Sequence, residues 1–315
     1  MTYTFVPELD ERLVAEAASH THEIWSGGFS LDGHIERTKD QLRRAGRDIL
    51  RYVGLVDETG LVASIKRYGL VVHAPGVGPV PAIGIGAVYT RKDARRKGAA
   101  ATLLRWLLED ARSTGHALAL LYSEIGTAYY ERLGFVALPS YEHAASAIDF
   151  PDATSLEIRP AGAADEELII RLHEASWDPS VVRIVRTPEH LRYFRYRNTA
   201  DCAWMLHRNG SVVGYLIAGI HDGTRDDGVN ASSRTLWVDE WAAPGISTAD
   251  VFGAIRVIAQ RESAPRVAAW LSPWHAFPPF TATPRHDTIA MACPLNAPIS
   301  TIDPHQTFFG SLDHF

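Results

Sequence analysis

Val88-Tyr89-Thr90-Arg91-Lys92-Asp93-Ala94-Arg95-Arg96-Lys97-Gly98-Ala99-Ala100 is the stretch on which the fold turns. Ahead of it, Ala82 to Tyr89 reads as a strand, with Gly84 and Gly86 marking a bulge or a close approach. Behind it, Ala100, Leu104, Leu107, Leu108 and Ala111 recur at helical spacing, so a helix is expected over 95–114, stopped by Gly115. Ala117 to Tyr122 is too short for a helix and suits a buried strand. Gly126 to Leu133 follows as a short helix ended by Gly134. The order is strand, loop, helix, strand, helix. A helix N-terminus offers unpaired N–H groups and the positive end of its dipole. Gly98 and the alanines after it let a pyrophosphate approach the backbone, and Arg95, Arg96 and Lys97 add positive charge. No G-x-x-x-x-G-K-[ST], G-x-G-x-x-G after a strand, or G-x-S-x-G occurs, which sets aside nucleotide-hydrolysing loops, Rossmann cofactors and hydrolase elbows.

Bulk properties narrow the class. The 315 residues are 46% hydrophobic and 22% charged, an ordinary globular composition with length for two domains. A net charge of −6 gives no basic footprint, so nucleic acid is not an expected partner. The two cysteines, Cys202 and Cys293, have no zinc spacing, so no metal site and no disulfide framework are expected. With no signal-peptide pattern and no apolar run near the ~20 residues of a membrane helix, the expectation is a soluble cytoplasmic protein with no membrane partner.

Working outward, Leu9 to Ser19 has a helical face, and Gly27-Gly28 breaks the chain before a second helix over 31–45 capped by Ser30. Ile49 to Leu55 and Leu61 to Val72 form a hairpin about Asp57-Glu58-Thr59-Gly60, and Ala74 to Pro81 reads as a loop. Phe135 to Leu138 and Ala144 to Phe150 are expected to complete this first sheet. After a linker at 151–154 the element order repeats: strand, helix, helix, a hairpin at Asn209-Gly210, a strand to Trp241, a helix from Val251 and a strand from Arg266. The expected fold class is therefore α/β (α+β), a mixed, mostly antiparallel sheet flanked by helices, with a second domain of the same architecture. The expected domains are residues 1–150 and 155–315.

With Tyr129-Tyr130-x-x-x-Gly134-Phe135 added at its end, the segment resembles the core of the GNAT family of acetyl-CoA-dependent N-acetyltransferases. The match is strongest over about residues 45 to 140. The resemblance implies acetyl-CoA as acyl donor, held by Ala87, Val88, Tyr89, Arg95, Arg96, Lys97, Gly98, Ala99, Ala100 and Ser123. It implies that the strand ending at Tyr89 offers backbone amides to the thioester, and that Tyr130 protonates the departing sulfur. Amide formation also needs a neutral amine, because an alkylammonium of pKa about 10.4 is protonated at neutral pH. Glu124, at the end of the buried strand, is the first candidate base. His73 and His143 are further candidates.

Leu121-Tyr122-Ser123-Glu124-Ile125-Gly126 is more specific: it resembles the Leu-Tyr-Ser-Asp-Ile-Gly segment of fungal acetyltransferases that modify the side-chain amine of free lysine. Trp25 and Phe29-Ser30-Leu31 echo the same proteins, which implies Trp25, Phe29 and Glu124 as acceptor-binding residues. The acceptor is then a small-molecule amine. Glu23, Asp239 and Glu240 are further carboxylates for a cationic acceptor. The alternatives are an acetyltransferase for a xenobiotic or antibiotic amine and a non-catalytic acyl-CoA-binding module. The second half has no R-x-x-G-x-A; Asp250 stands before its main helix and would repel a phosphate. It is expected to be a degenerate GNAT-like domain that shapes the acceptor pocket, with Trp237, Trp241, Trp270, Trp274 and His275 as lining. Some tandem-GNAT aminoglycoside acetyltransferases use a terminal Phe carboxylate as base, which makes Phe315 a candidate.

Overall fold

The computed structural model describes residues 3–197, 201–222, 234–272 and 274–314. The first half runs β1 (Thr4–Val6), α1 (Glu11–Trp25), α2 (Leu31–Ala45), β2 (Leu50–Asp57), β3 (Gly60–Ala74), β4 (Gly78–Thr90), α3 (Ala99–Ser113), β5 (Leu118–Ser123), α4 (Ala128–Glu131), β6 (Val136–Ala137) and β7 (Tyr141–Ser146). The second half runs β8 (Glu157–Pro160), α5 (Glu166–Ser176), β9 (Arg183–Ile184), α6 (Pro188–Arg197), β10 (Asp201–Arg208), β11 (Ser211–His221), β12 (Thr235–Ala242), α7 (Thr248–Arg261), β13 (Arg266–Ala269), β14 (Thr281–Pro284) and β15 (Ile289–Pro294). One sheet has the order β1-β2-β3-β4-β5-β15-β6, with β9 on β3. The other has β14-β7-β13-β12-β11-β10-β8. Each contains one parallel pair, β4 with β5 and β12 with β13, among antiparallel neighbours.

Local chemistry sets most of these elements. The Asp10 carboxylate accepts from the Leu13 amide at 2.8 Å and starts α1. Ser30 does the same for α2 through the Gly33 amide at 3.2 Å. The β2–β3 turn is fixed by Asp57, which accepts from the Thr59 amide and hydroxyl, and by Gly60 at φ +116°. On α3 the face Leu103, Leu104, Leu107, Leu108 and Ala111 packs under the first sheet. On α7 Phe252, Ile255, Ile258 and Ala259 pack under the second.

Three expectations change. The helix expected over Leu9 to Ser19 continues to Trp25, because only Gly27 and Gly28, both at positive φ, end it. The loop expected over Ala74 to Pro81 shrinks to a tight turn between β3 and β4. Pro79 and Pro81 are tolerated because β5 joins β4 only from Ala82 onward, so their missing N–H groups cost no ladder bond on that side. The strand expected over Ala144 to Phe150 does not complete the first sheet. As β7 it pairs with β13 and β14 of the second, while β15 inserts between β5 and β6. Ala290, Met291, Ala292 and Cys293 on β15 are all buried, so both of its faces need cover, which the interior of the first sheet supplies.

Candidate active site

β4 and β5 run in parallel register from Ala82 opposite Leu118 to Ile85 opposite Leu121, and then part. The cause lies on the other side of β4. Its register against β3 shifts between Ser64 and Lys66, and Ala87 takes a left-handed φ of +47°. From Gly86 to Thr90 the strand therefore keeps β3 and leaves β5. A cavity of about 720 Å³ opens in the wedge, lined by Ile85 to Val88, by the start of α3, by α1 and α2, and by the end of β5.

One end of the cavity is the N-terminus of α3. Gly98, at φ +83°, is its cap and makes no side-chain cap bond; a Cβ there would meet nothing within 4 Å. The amide of Thr102 is the first to bond back to Gly98, which leaves those of Ala99, Ala100 and Ala101 without helical partners. The basic cluster divides into two kinds. Arg91 is tied to Asp93 at 2.7 Å and Asp57 at 3.6 Å, and Lys92 to Glu23 on α1 at 2.8 Å. Arg95 donates to the Thr90 carbonyl and lies over the Tyr89 ring. Arg95, Arg96 and Lys97 form no ion pair among the described residues, and Arg95, Arg96, Gly98, Ala99 and Ala100 line the cavity. Bare amides, uncompensated cations and open space at a glycine are the features an anionic phosphate chain fits.

Deeper in the wedge stand Tyr130 and Glu124. Gly134, at φ +93°, turns the chain after α4 so that Phe135 packs edge-on against Tyr130, with ring centres 6.0 Å apart. Tyr129 packs on its other side at 5.1 Å. The Tyr130 ring is buried, yet its hydroxyl makes no hydrogen bond among the described residues and borders the cavity. Burial, with smaller contributions from Tyr129 and Glu124, pushes its pKa up to about 12, so it holds its proton at neutral pH. Glu124 is exposed, lines the same space and accepts no hydrogen bond among the described residues.

The remaining expected residues scatter. Ala87, Val88 and Trp25 line the cavity; Tyr89, Lys97, Ser123 and Phe29 do not. Tyr89 packs against His20, and the Ser123 hydroxyl donates to the Gly126 carbonyl at 2.6 Å, holding the turn that aims Glu124. Phe29 is exposed and covered by the Arg37 guanidinium. Of the extra carboxylates, Glu23 pairs with Lys92, Asp239 accepts from Ser311, and Glu240 is buried against Arg186. His73 is bonded to the Pro179 carbonyl, and His143 is buried beside Phe277 and Phe280 in the second sheet. Neither reaches the cavity. Trp237 and Trp270 pack together, Trp241 packs on Phe252, Trp274 on Phe308 and His275 on Phe277; none lines the cavity. Phe315 lies outside the described residues.

What the second half does bring is Arg197 and His314. Arg197 donates to the His314 carbonyl, and the His314 ring packs edge-on against Tyr122 at 5.0 Å. Tyr122 in turn donates to the Gly310 carbonyl at 2.9 Å. Opposite them, β2, β3 and α2 contribute Tyr52, Lys66, Tyr68, Gln41 and Arg37. No local motif announces these residues; they converge only through strand register and helix docking.

The second sheet repeats the parting strands. β12 and β13 are in register from Thr235 to Val238, after which β12 runs on paired with β11 but not with β13. Its helix start is closed, however. Ser247 caps α7, and the Asp250 carboxylate accepts from the Ser155 amide and hydroxyl and pairs with Arg208 at 2.7 Å. These bonds, the Ser155 amide foremost, hold Asp250 ionised far below the usual carboxylate range. An incoming phosphate meets a fixed negative charge there.

Residues 9–137 match the family model described as acetyltransferase (GNAT) domain. Solved structures share the fold over 94% of this chain and 73% of theirs. A GCN5-related N-acetyltransferase from Anabaena variabilis ATCC 29413 superposes with TM-score 0.73 at 16% identity. One from Kribbella flavida does so with TM-score 0.69 at 22%. Eis1 from Mycobacterium abscessus aligns with TM-score 0.63 at 16%, covering 94% of this chain and 74% of that one. No curated protein matches the sequence. Residues 9–137 are thus similar to a GNAT acetyltransferase domain, and the likeness to the solved structures is one of fold.

Proposed function

We propose that the protein transfers an acetyl group from acetyl-CoA to a primary amine of a small molecule. In this reading residues 1–150 bind the coenzyme, and residues 155–315 form a degenerate GNAT-like domain that shapes the acceptor side. The observation that carries the reading is one continuous cavity. It joins the bare N-terminus of α3, the parted edge of β4, Tyr130 and Glu124, while the second sheet's equivalent helix start is sealed by Asp250.

The residues divide the chemistry as follows. The N–H groups of Ala99 to Ala101, with Arg95 and Arg96, hold the coenzyme's phosphates. The β4 edge about Ala87 and Val88 supplies amides for the thioester oxygen as it gains charge. Glu124 takes a proton from the ammonium, directly or through water, and the freed lone pair attacks the thioester carbon. As the carbon–sulfur bond breaks, the nitrogen sheds its second proton to solvent, the Tyr130 hydroxyl gives its proton to sulfur, and the phenolate regains one from solvent. The acceptor amine that the Leu-Tyr-Ser-Glu-Ile-Gly segment suggests is the side-chain amine of free lysine.

Thiol release from acetyl-CoA, measured against a panel of amines including lysine, tests the proposal. Turnover with at least one amine is expected. Coenzyme binding with no turnover on any amine would leave an acyl-CoA-binding module in its place.

A further inference from the structure

The acceptor end of the cavity is cationic. Lys66, on β3 beside the register shift, points into it from the floor, and Arg37 on α2 stands at its rim. Lys66 donates to the Gln41 side-chain carbonyl at 3.2 Å and lies 5.7 Å from the centre of the Tyr52 ring. Neither Lys66 nor Arg37 has a carboxylate within ion-pair distance among the described residues. The nearby acids are engaged elsewhere: Glu23 with Lys92, Glu36 with Lys39, and Asp40 with Arg43, Arg44 and the Tyr196 hydroxyl. Among the described residues lining this cavity, Glu124 is the one with a carboxylate.

An ammonium set in a protein wall without a counterion is costly, and a second cation nearby adds to the cost. Burial, together with Arg197 and Arg37, drags the Lys66 pKa down to about 8. Packing alone does not call for this charge, since a methionine would fill the same space at less expense. A cation kept at such a cost in a ligand cavity awaits an anion from outside. The coenzyme's phosphates have their own grip at α3, so the anion belongs to the acceptor.

We infer that the acceptor is an aminocarboxylate: its amine is received at Glu124 and Tyr130, and its carboxylate is held by Lys66 and Arg37. The inference rests on the acetyl-transfer reading and narrows it. Free lysine and other amino acids with a distal amine fit. Polycationic amines, the antibiotic class among them, meet like charge at Lys66 and Arg37 and are disfavoured.

The test compares amines that differ only in the carboxylate: lysine against lysinamide and 1,5-diaminopentane, and 6-aminohexanoate against hexylamine. With the wild-type chain, kcat/KM for the carboxylate member should exceed that of its partner by about tenfold or more, the worth of one charged hydrogen-bonding contact. Lys66→Met should collapse the ratio to near one, mainly through KM, with coenzyme-induced thermal stabilisation intact; Lys66→Arg should restore much of it. Equal use of both members, or an equal fall for both in Lys66→Met, overturns the inference. If no amine releases thiol, acetyl transfer itself has failed. Thermal stabilisation of the CoA-bound chain then reads the anion site directly. Stabilisation by 6-aminohexanoate but not hexylamine, lost in Lys66→Met, upholds the site, and equal response to both refutes it.

Discussion

Tyr130 and Lys66 present opposite cases of one environment acting on a titratable group. Burial holds the proton on Tyr130 and weakens the hold of Lys66 on its own, because both effects favour the neutral form. For Tyr130 that is the form an acid needs. Tyr130→Phe should therefore lower turnover by roughly 10²–10⁴-fold, the usual worth of a positioned acid, while the coenzyme dissociation constant measured by calorimetry stays within error. For Lys66 the charged form is the useful one, and folding opposes it. Lys66→Met should raise the thermal midpoint by a few degrees, about 1 kcal/mol or more at this size, even as it weakens acceptor binding. A lowered midpoint in a melting scan would contradict that trade-off. Tyr130 could be found from the sequence because it sits at fixed spacing before Gly134-Phe135. Lys66 could not, because nothing local distinguishes a strand lysine that points into a cavity from one that points to solvent.

At the scale of elements, α3 and α7 are the same device with opposite ends. Both carry an apolar face under a sheet beside parting parallel strands. α3 begins at an uncapped, left-handed glycine among cations, α7 at a serine cap with a carboxylate in its first turn. The first has the features an anion fits, and the second carries a fixed negative charge. Replacing Gly98 by valine forces a β-branched residue to φ +83° and fills the space at the helix start. Acetyl-CoA should then no longer raise the melting temperature, although the apo chain still unfolds cooperatively with a cost of about 1–2 kcal/mol. Persistent stabilisation by the coenzyme would place the phosphate grip elsewhere. This contrast was legible beforehand, since Arg95-x-x-Gly98-x-Ala100 and the Asp250 segment differ in glycine and charge at equivalent points of a repeated order. The ends of α1 and of the β3–β4 turn were not. Helix propensity carries through His20 to Ile24 without a breaker, and prolines on the unpaired side of a strand look the same in sequence as prolines in a loop.

At the scale of the molecule, exchanged strands bind the two halves, and a buried charge network ties the second half together. Arg186 joins Glu240 and Asp313, and the Tyr215 hydroxyl donates to Glu240 at 2.5 Å with His173 alongside. Asp313 precedes His314, so this network also seats a segment that walls the cavity. Arg186→Met removes the guanidinium that both buried carboxylates share and should cost about 3–5 kcal/mol in denaturant unfolding. Burial works to raise the Glu240 pKa, but Arg186 and then His173 outweigh it and hold the group ionised far below its ordinary value. Folding thus lowers this pKa. The stability it contributes is complete above pH 4.5, the group's ordinary value, and drains away as pH falls below it. Glu240→Gln should flatten the acid limb of the stability profile in that range, and an unchanged slope would assign acid unfolding to other groups.

By itself the sequence determined the strand-loop-helix core, the glycine-started helix among cations in the first half, the carboxylate at the corresponding helix start of the second, and the tyrosine on the short helix. These rest on residues close in the chain, where glycine conformation, helical period and net charge act directly. The tertiary structure decided what lies far apart in the chain: that β15 rather than β7 enters the first sheet, that Trp237 and Trp270 pack in the core, and that Lys66, Arg37, Arg197 and His314 meet at one cavity. The physical reason is that strand pairing and cavity lining are settled by which distant surfaces bury each other most completely. A side chain's own neighbours in sequence carry no record of that outcome.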